Sequence, residues 1–279
     1  MPKTVLITGC SSGFGEATAH YFADRGWNVV ATMRSPETGG TLAARDGVLV
    51  TRLDVEDPSS IRVAIADAIE RFGRIDVLVN NAGFGLFGVF EQTPPAQIAQ
   101  QFAVNLFGVM DVTRAILPHF RTHRSGVIVN VSSGAGVFAL PMISLYSASK
   151  FALEGFSESL SYELASVGIA VKVVEPGGVT STRFGERSAA EVRSVERIAD
   201  YDAFIAGAEA VFAGLRAGRA NATSAEVAEV IFAAATDGTD RLRYVATKDI
   251  EPLVRARRET SEDAYMAFMR ARVAPKLPA

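Results

Sequence analysis

Cysteine is almost missing from this chain. Cys10 stands alone among 279 residues, so no internal disulfide can form, and three histidines beside one thiol leave too few soft ligands for a metal centre. An excess of charge of either sign is missing as well. The 28 Lys and Arg face 31 Asp and Glu, a formal net charge of −3, which supplies no basic face for nucleic acid or anionic lipid. No apolar run approaches the roughly 18 to 20 residues of a membrane span. The opening run Val5-Leu6-Ile7, after Lys3 and before Thr8-Gly9, is too short for the core of a secretion signal. No repeat, low-complexity tract or Gly/Ser linker divides the sequence. These absences predict a soluble, cytoplasmic, metal-independent protein forming one domain over residues 1–279.

What the chain does have is alternation. Thr4 to Thr8, Asn28 to Thr32, Val48 to Leu53, Ile75 to Val79, Val127 to Val131 and Ile169 to Val174 are rich in Val, Ile and Leu, as strands covered on both faces must be. A seventh strand is expected near Arg243 to Ala246. Helix-length segments separate them: Glu16 to Arg25, Ser59 to Phe72, Gln97 to Phe120 and Leu145 to Ser166. The pattern predicts an α/β, Rossmann-type, doubly wound parallel sheet of seven strands with helices on both faces and ligands at the carboxyl ends of the strands. Residues 185–223 are too long for an ordinary connection and carry apolar residues such as Phe204, Ile205, Val211 and Phe212 at helical spacing, so a helical substrate lid is expected there. Residues 249–279 form a C-terminal helical extension. Its Arg255, Arg257, Arg258, Arg270 and Arg272, interleaved with Glu251, Glu259, Glu262 and Asp263, read as a solvated face.

Thr8-Gly9-Cys10-Ser11-Ser12-Gly13-Phe14-Gly15 follows the first strand and runs into helical sequence. Glycines there permit positive φ and close approach of a pyrophosphate, whose charge is stabilised by free N–H groups and the helix dipole. At the end of the second strand no carboxylate is present to accept a ribose hydroxyl. The chain reads Ala31-Thr32-Met33-Arg34, and Arg34 can bind a 2′-phosphate, which predicts NADP(H) ahead of NAD(H), with Ser11 and Ser12 as further phosphate partners. A surface arginine beside bound NAD is the competing reading.

Tyr146 and Lys150 stand four apart at the start of a helical segment and project from nearly one face. A cation near the phenol favours the phenolate, so Tyr146 can accept an alcohol proton or return one to a carbonyl. Lys150 is also free to bond a nicotinamide-ribose hydroxyl. The stripe Leu145, Ala148, Ala152, Phe156, Leu160 sets the buried side of that helix. Cys10 reads as a small filler in the glycine loop, and His119 with His123 as a solvated helix end.

The spacing Thr8-Gly9-x-x-x-Gly13-x-Gly15 resembles the short-chain dehydrogenase/reductase family, as do Asn80-Asn81-Ala82-Gly83, Asn105, Ser133, Tyr146 with Lys150, and Pro176-Gly177, in order over residues 3 to about 182. The resemblance implies that Asn105, Ser133, Tyr146 and Lys150 are catalytic. It implies Gly9, Ser11, Ser12, Gly13, Phe14, Gly15, Asp54, Val55, Asn81, Ala82, Gly83, Pro176, Gly177, Val179 and Ser181 as cofactor contacts. Ser133, thirteen residues before Tyr146, is preferred over Ser132 as the serine that orients substrate, and Ser181 over Thr180 and Thr182. Asn105 would sit inside the long helix and hold a water near the lysine. The pocket walls would come from Phe84 to Phe87, and from Phe138, Leu140, Met142 and Ile143, with Phe87, Phe138, Leu140 and Ile143 as substrate contacts. A hydrophobic secondary alcohol or carbonyl substrate follows, in the manner of hydroxysteroid- and retinol-dehydrogenase-like members. No nucleic-acid partner is implied, and a homodimer or homotetramer is. The alternative is an NADP(H)-sensing regulator on the same fold that does not turn over.

Overall fold

Val5, Leu6 and Ile7 are all buried, yet they point alternately to two different cores, and this arrangement repeats across one sheet. The computed structural model describes residues 2–179, 197–217 and 222–276. Strands β1 (Thr4–Ile7), β2 (Asn28–Met33), β3 (Val48–Arg52), β4 (Val77–Asn80), β5 (Gly126–Val131), β6 (Ile169–Glu175) and β7 (Arg243–Val245) lie in the order β3-β2-β1-β4-β5-β6-β7, every pair parallel. This is the doubly wound Rossmann-type sheet that the alternation predicts. Strand order reverses between β1 and β4, which opens a crevice at their carboxyl ends.

Helices α1 (Gly13–Ala23), α2 (Pro58–Phe72), α3 (Pro95–Phe102), α4 (Gly108–His123) and α5 (Ser144–Ala165) fill the crossovers between the first six strands except β2 to β3, which carries two short 3-10 turns, Pro36–Thr38 and Gly40–Ala44. One core joins Val5, Ile7, Val29 and Val129 to Phe22 of α1, and to Val227 and Ile231 of a helix near the C-terminus, Ser224–Thr236. The other joins Leu6, Val30, Leu78 and Ile128 to Ile61 and Ile65 of α2, Ile116 of α4 and Leu160 of α5. Asp57 caps α2, accepting the N–H groups of Ser59 and Ser60, and Gly73 ends it in the left-handed region at φ 78°.

The expected single helix Gln97 to Phe120 is instead two helices joined by a π-helical turn at Ala103–Phe107. The apolar period runs through the join, so sequence spacing does not register the widened turn. Gly108 begins α4 against Val55, where a Cβ would lie 2.7 Å from the valine side chain.

Of the expected lid, residues 185–196 and 218–221 lie outside the described residues. Its described part holds helix α6 (Asp202–Ala217), entered by a short 3-10 turn at Ala199–Tyr201. Helix α7 is Ser224–Thr236, opened by the reciprocal Thr223/Glu226 capping box. The extension folds as α8 (Glu251–Glu259) and α9 (Glu262–Val273). Most of its interleaved charges form the expected solvated face, with Arg255, Arg270, Arg272, Glu259 and Asp263 exposed, and the opposite face is buried. Leu253, Val254, Tyr265, Met269 and Val273 pack against Val137 and Phe138, because apolar residues at helical spacing lie between the charges.

Candidate active site

The carboxyl ends of the strands surround one cavity of about 980 Å³. At one end is the glycine loop, with Gly9, Ser11, Ser12, Gly13 and Phe14 on the wall. Gly9 and Gly13 have φ of 75° and 62°, values that a side chain would strain. Gly15 is off the wall. It packs on the loop from behind, where any Cβ would overlap the Gly9 carbonyl oxygen. Asn81 locks the same turn: its Nδ2 donates to the Thr8 and Gly9 carbonyls at 2.9 and 3.2 Å, and Thr8 Oγ1 accepts the N–H groups of Asn81 and Ala82, each at 3.0 Å. Cys10 is a buried filler whose thiol donates to the Ile7 carbonyl, and burial pushes its pKa up to about 12.

These features fit a dinucleotide. A tight turn that needs positive φ at Gly9 and Gly13, at the N-terminus of α1, suits a pyrophosphate. Exposed Arg34 lies on the wall at the end of β2, and Asp54 and Val55 line it after β3. Asp54 also closes the turn into α2: its carboxylate accepts the Glu56 N–H at 3.1 Å and its own N–H donates to Ser60 Oγ at 3.0 Å. Asn81, Ala82 and Gly83 line the middle of the cavity. Pro176, Gly177 and Val179 line it after β6, and Gly177 N–H donates to Thr247 Oγ1 at 2.8 Å. Thr180, Ser181 and Thr182 lie outside the described residues.

Ser133, Tyr146 and Lys150 converge on the opposite wall. Ser133 opens a short turn after β5, its Oγ accepting the Ala135 N–H at 3.1 Å, and its hydroxyl faces the phenol. Burial pushes Tyr146 up to about 12, and the Ser133 hydroxyl only partly offsets this. An acidified phenol was expected from Lys150. Instead Lys150 Nζ donates to the Val131 carbonyl at 2.9 Å and stays 5.9 Å from the phenol ring centre, so burial dominates. Burial also lowers the Lys150 ammonium to about 8, against the opposing charge of Glu154. A phenol that keeps its proton at neutral pH is a proton donor, and the nearby cation can stabilise the phenolate left behind.

Asn105 is fully buried in the π-helical turn and is not on the cavity wall. Its Nδ2 donates to the Phe84 carbonyl (2.8 Å) and Ser149 Oγ (3.2 Å), and its Oδ1 accepts the Phe84 N–H at 3.0 Å. It therefore ties the loop after β4 to α5. The widened turn is what lets a helical side chain reach that backbone.

Phe84, Phe87, Phe138, Leu140 and Ile143 all line the cavity, whereas Gly85, Leu86 and Met142 do not. From α6 come Phe212, packed edge-on against Phe87 with ring centres 5.6 Å apart, and Leu215. Sequence reasoning missed Asp249, Ile250 and Leu253, which the extension brings to the wall. The signal available was Leu253-Val254 spaced with Tyr265, Met269 and Val273. His119, expected at a solvated helix end, is partly buried, its Nε2 accepting the Ile75 N–H at 3.1 Å. Among the described residues no group of three or more His, Cys, Asp or Glu is placed to hold a metal ion, and no helix is long and apolar enough to cross a membrane.

A nucleotide cradle at a switch point, facing a Ser-Tyr-Lys wall, defines a nicotinamide-dependent oxidoreductase acting on CH–OH groups. The model of the short chain dehydrogenase family matches residues 3–192, and the chain belongs to that family. An uncharacterized oxidoreductase of Schizosaccharomyces pombe is 38% identical over 85% of this chain and 98% of its own. The 3-ketodihydrosphingosine reductase of Bacteroides thetaiotaomicron is 39% identical over 68% of this chain and 69% of its own. Human retinol dehydrogenase 8 is 40% identical over 70% and 64%. Among solved structures, a short-chain dehydrogenase from Streptomyces avermitilis superposes with a TM-score of 0.79 at 34% identity, covering 97% of this chain and 96% of that one. A relative from Burkholderia phymatum in complex with NAD gives 0.78 at 25% identity, covering 100% and 98%. A gluconate 5-dehydrogenase from Burkholderia cenocepacia in complex with NADP and tartrate gives 0.71 at 25%, covering 88% and 93%.

Proposed function

We propose that this protein interconverts a hydrophobic secondary alcohol and its ketone, or an aldehyde and its alcohol, using NADP(H), with Tyr146 as the general acid and base. The observation that carries this reading is the convergence of Ser133, Tyr146 and Lys150 on a cavity whose other wall is aromatic and aliphatic. In reduction, Ser133 orients the carbonyl oxygen and Tyr146 donates its proton to it. Lys150 balances the phenolate that forms, and Asn105 positions the facing loop. The nicotinamide, when bound, supplies or takes up the hydride. In oxidation Tyr146 receives the alcohol proton.

NADP(H) is chosen on Arg34, which lines the cavity and makes no ion pair among the described residues. The family uses both forms, so the choice rests on this side chain. An apolar substrate is in keeping with relatives named for retinol and 3-ketodihydrosphingosine. Helix α6 serves as part of a lid, since Phe212 and Leu215 close the apolar end. Exposed Phe107 and Phe151, beside α4 and on α5, suit pairing of these helices in a homodimer or homotetramer. A cytoplasmic location accords with the single free cysteine.

The test is spectrophotometric NADPH oxidation over steroid, retinoid, aliphatic and aromatic carbonyls, with Tyr146→Phe as control. Turnover of apolar carbonyls that needs Tyr146 is the expected result. NADPH binding without turnover of any carbonyl would overturn it in favour of a sensor.

A further inference from the structure

Behind the catalytic wall lies a partly buried set of charges that the reaction as described does not use. Glu154 follows Lys150 by one turn of α5 and is 6% exposed, and Lys150 is 5% exposed. Gly136 leaves room for the contact: a Cβ there would lie 2.7 Å from Ser132 Oγ, 3.1 Å from Glu154 Cγ and 3.1 Å from the Lys150 carbonyl. From the far side β7 contributes Arg243, whose Nε donates to Glu154 Oε2 at 2.9 Å and whose other nitrogen reaches Glu158 Oε2 at 2.5 Å. From β6 the fully buried Glu175 lies 3.7 Å from Arg243 and is bound by Arg258 of α8 at 2.5 Å. The groups facing Glu154 are therefore Lys150 and Glu158 on its own helix, Ser132 after β5, Glu175 on β6 and Arg243 on β7.

Two cations, Arg243 and Arg258, pair with three carboxylates, Glu154, Glu158 and Glu175, and Lys150, one helical turn from Glu154, is the third cation of the set. Such a set tolerates burial only while its charges remain paired. Removing one carboxylate leaves excess positive charge, and the group able to shed it is the lysine, because an arginine stays protonated. We propose that Glu154 is a positioning residue for the reaction, its carboxylate clamped by Arg243 and holding the Lys150 ammonium charged beside Tyr146, so that this pair fixes the pH range of turnover. This rests on the functional reading above.

The direction of each influence agrees with that role. Burial drives the Glu154 pKa up. The Ser132 hydroxyl and Arg243 pull it back, while the Glu175 charge adds to the rise. Glu154 in turn opposes the fall of Lys150. Losing a negative charge lowers the proton affinity of the lysine and of the phenol alike, so the sign is the same whichever of the coupled pair releases its proton.

The experiment uses Glu154→Gln, which keeps the side-chain size and an oxygen for Arg243. Trace acetylation of the full-length protein with acetic anhydride across a pH series, read by mass spectrometry on the peptide carrying Lys150, gives that lysine's titration, with Lys3, Lys172, Lys248 and Lys276 as references in the same chain. The Lys150 midpoint and the alkaline limb of carbonyl reduction are both expected to move down by about 1 pH unit, the scale of one partly buried charge. A purely structural glutamate would change stability and leave both midpoints in place, and coincident midpoints overturn the proposal. If Glu154→Gln does not fold, Glu154→Met, which removes the same charge without burying an amide, must move the Lys150 midpoint the same way; no movement there overturns it equally. Acetylation requires no turnover, so turnover that survives in Tyr146→Phe would sink the functional reading while leaving the charge assignment standing.

Discussion

The nucleotide end and the substrate end of the cavity are built by different means. At the nucleotide end, backbone conformation and hydrogen bonds set the shape: Gly9 and Gly13 at positive φ, Gly15 against the Gly9 carbonyl, and Asn81 bonded to Thr8 and Gly9. At the substrate end the shape comes from side chains brought in by distant segments, with Phe212 on α6 and Leu253 on α8 meeting Phe87 and Phe138. A turn without Cβ atoms tolerates little change. A wall of apolar side chains can be resized one methylene at a time, and it is the half in which members of one family can diverge in substrate.

Substitutions in each half sharpen that contrast. The largest effect is expected from Gly15→Ala, whose Cβ overlaps the Gly9 carbonyl: NADPH affinity falls by about 100-fold or more as the pyrophosphate turn opens. Calorimetric titration measures it, and an affinity near that of the parent would break the claim that backbone sets this end. Leu253→Ala should do the reverse, leaving NADPH affinity unchanged while kcat/KM for an apolar carbonyl drops by about 10-fold or more, with about 2 to 3 kcal/mol lost from stability. Steady-state kinetics and thermal melting together decide it. Arg34→Ala should lower kcat/KM with NADPH by about 10-fold and leave NADH alone, one charge-assisted contact being lost. Equal effects on the two cofactors would refute the 2′-phosphate assignment.

The smallest effect concerns pH. The Lys150 ammonium loses its proton as pH rises through about 8, so carbonyl reduction should decline on the alkaline side near that value while Tyr146, pushed up to about 12, still holds its proton. The decline follows from losing the cation that stabilises the departing phenolate. A rate that is flat through that range would place the controlling ionisation elsewhere.

The same contrast explains what was legible in the sequence. All seven strands and the glycine loop could be read because local rules govern them: doubly buried apolar runs for strands, and a turn without Cβ between strand and helix. Tyr146 and Lys150 could be paired because one helical turn separates them. The side-chain partners of Asn105 were not legible. The π-helical turn inserts a residue without breaking the apolar pattern, so its side chain ends on the Phe84 backbone. Ile250 and Leu253 were hidden for a different reason. They sit in a charge-rich segment where Arg258 looks solvated, although it reaches Glu175 on β6, a partner 83 residues away in sequence.

The central claim is that the Tyr146 phenol carries the proton of the reaction, and single-turnover hydride transfer from bound NADPH, compared between the parent protein and Tyr146→Phe, tests it most directly. The account predicts a rate lower by about 10²- to 10⁴-fold with NADPH affinity unchanged. Equal rates in the two proteins would contradict it.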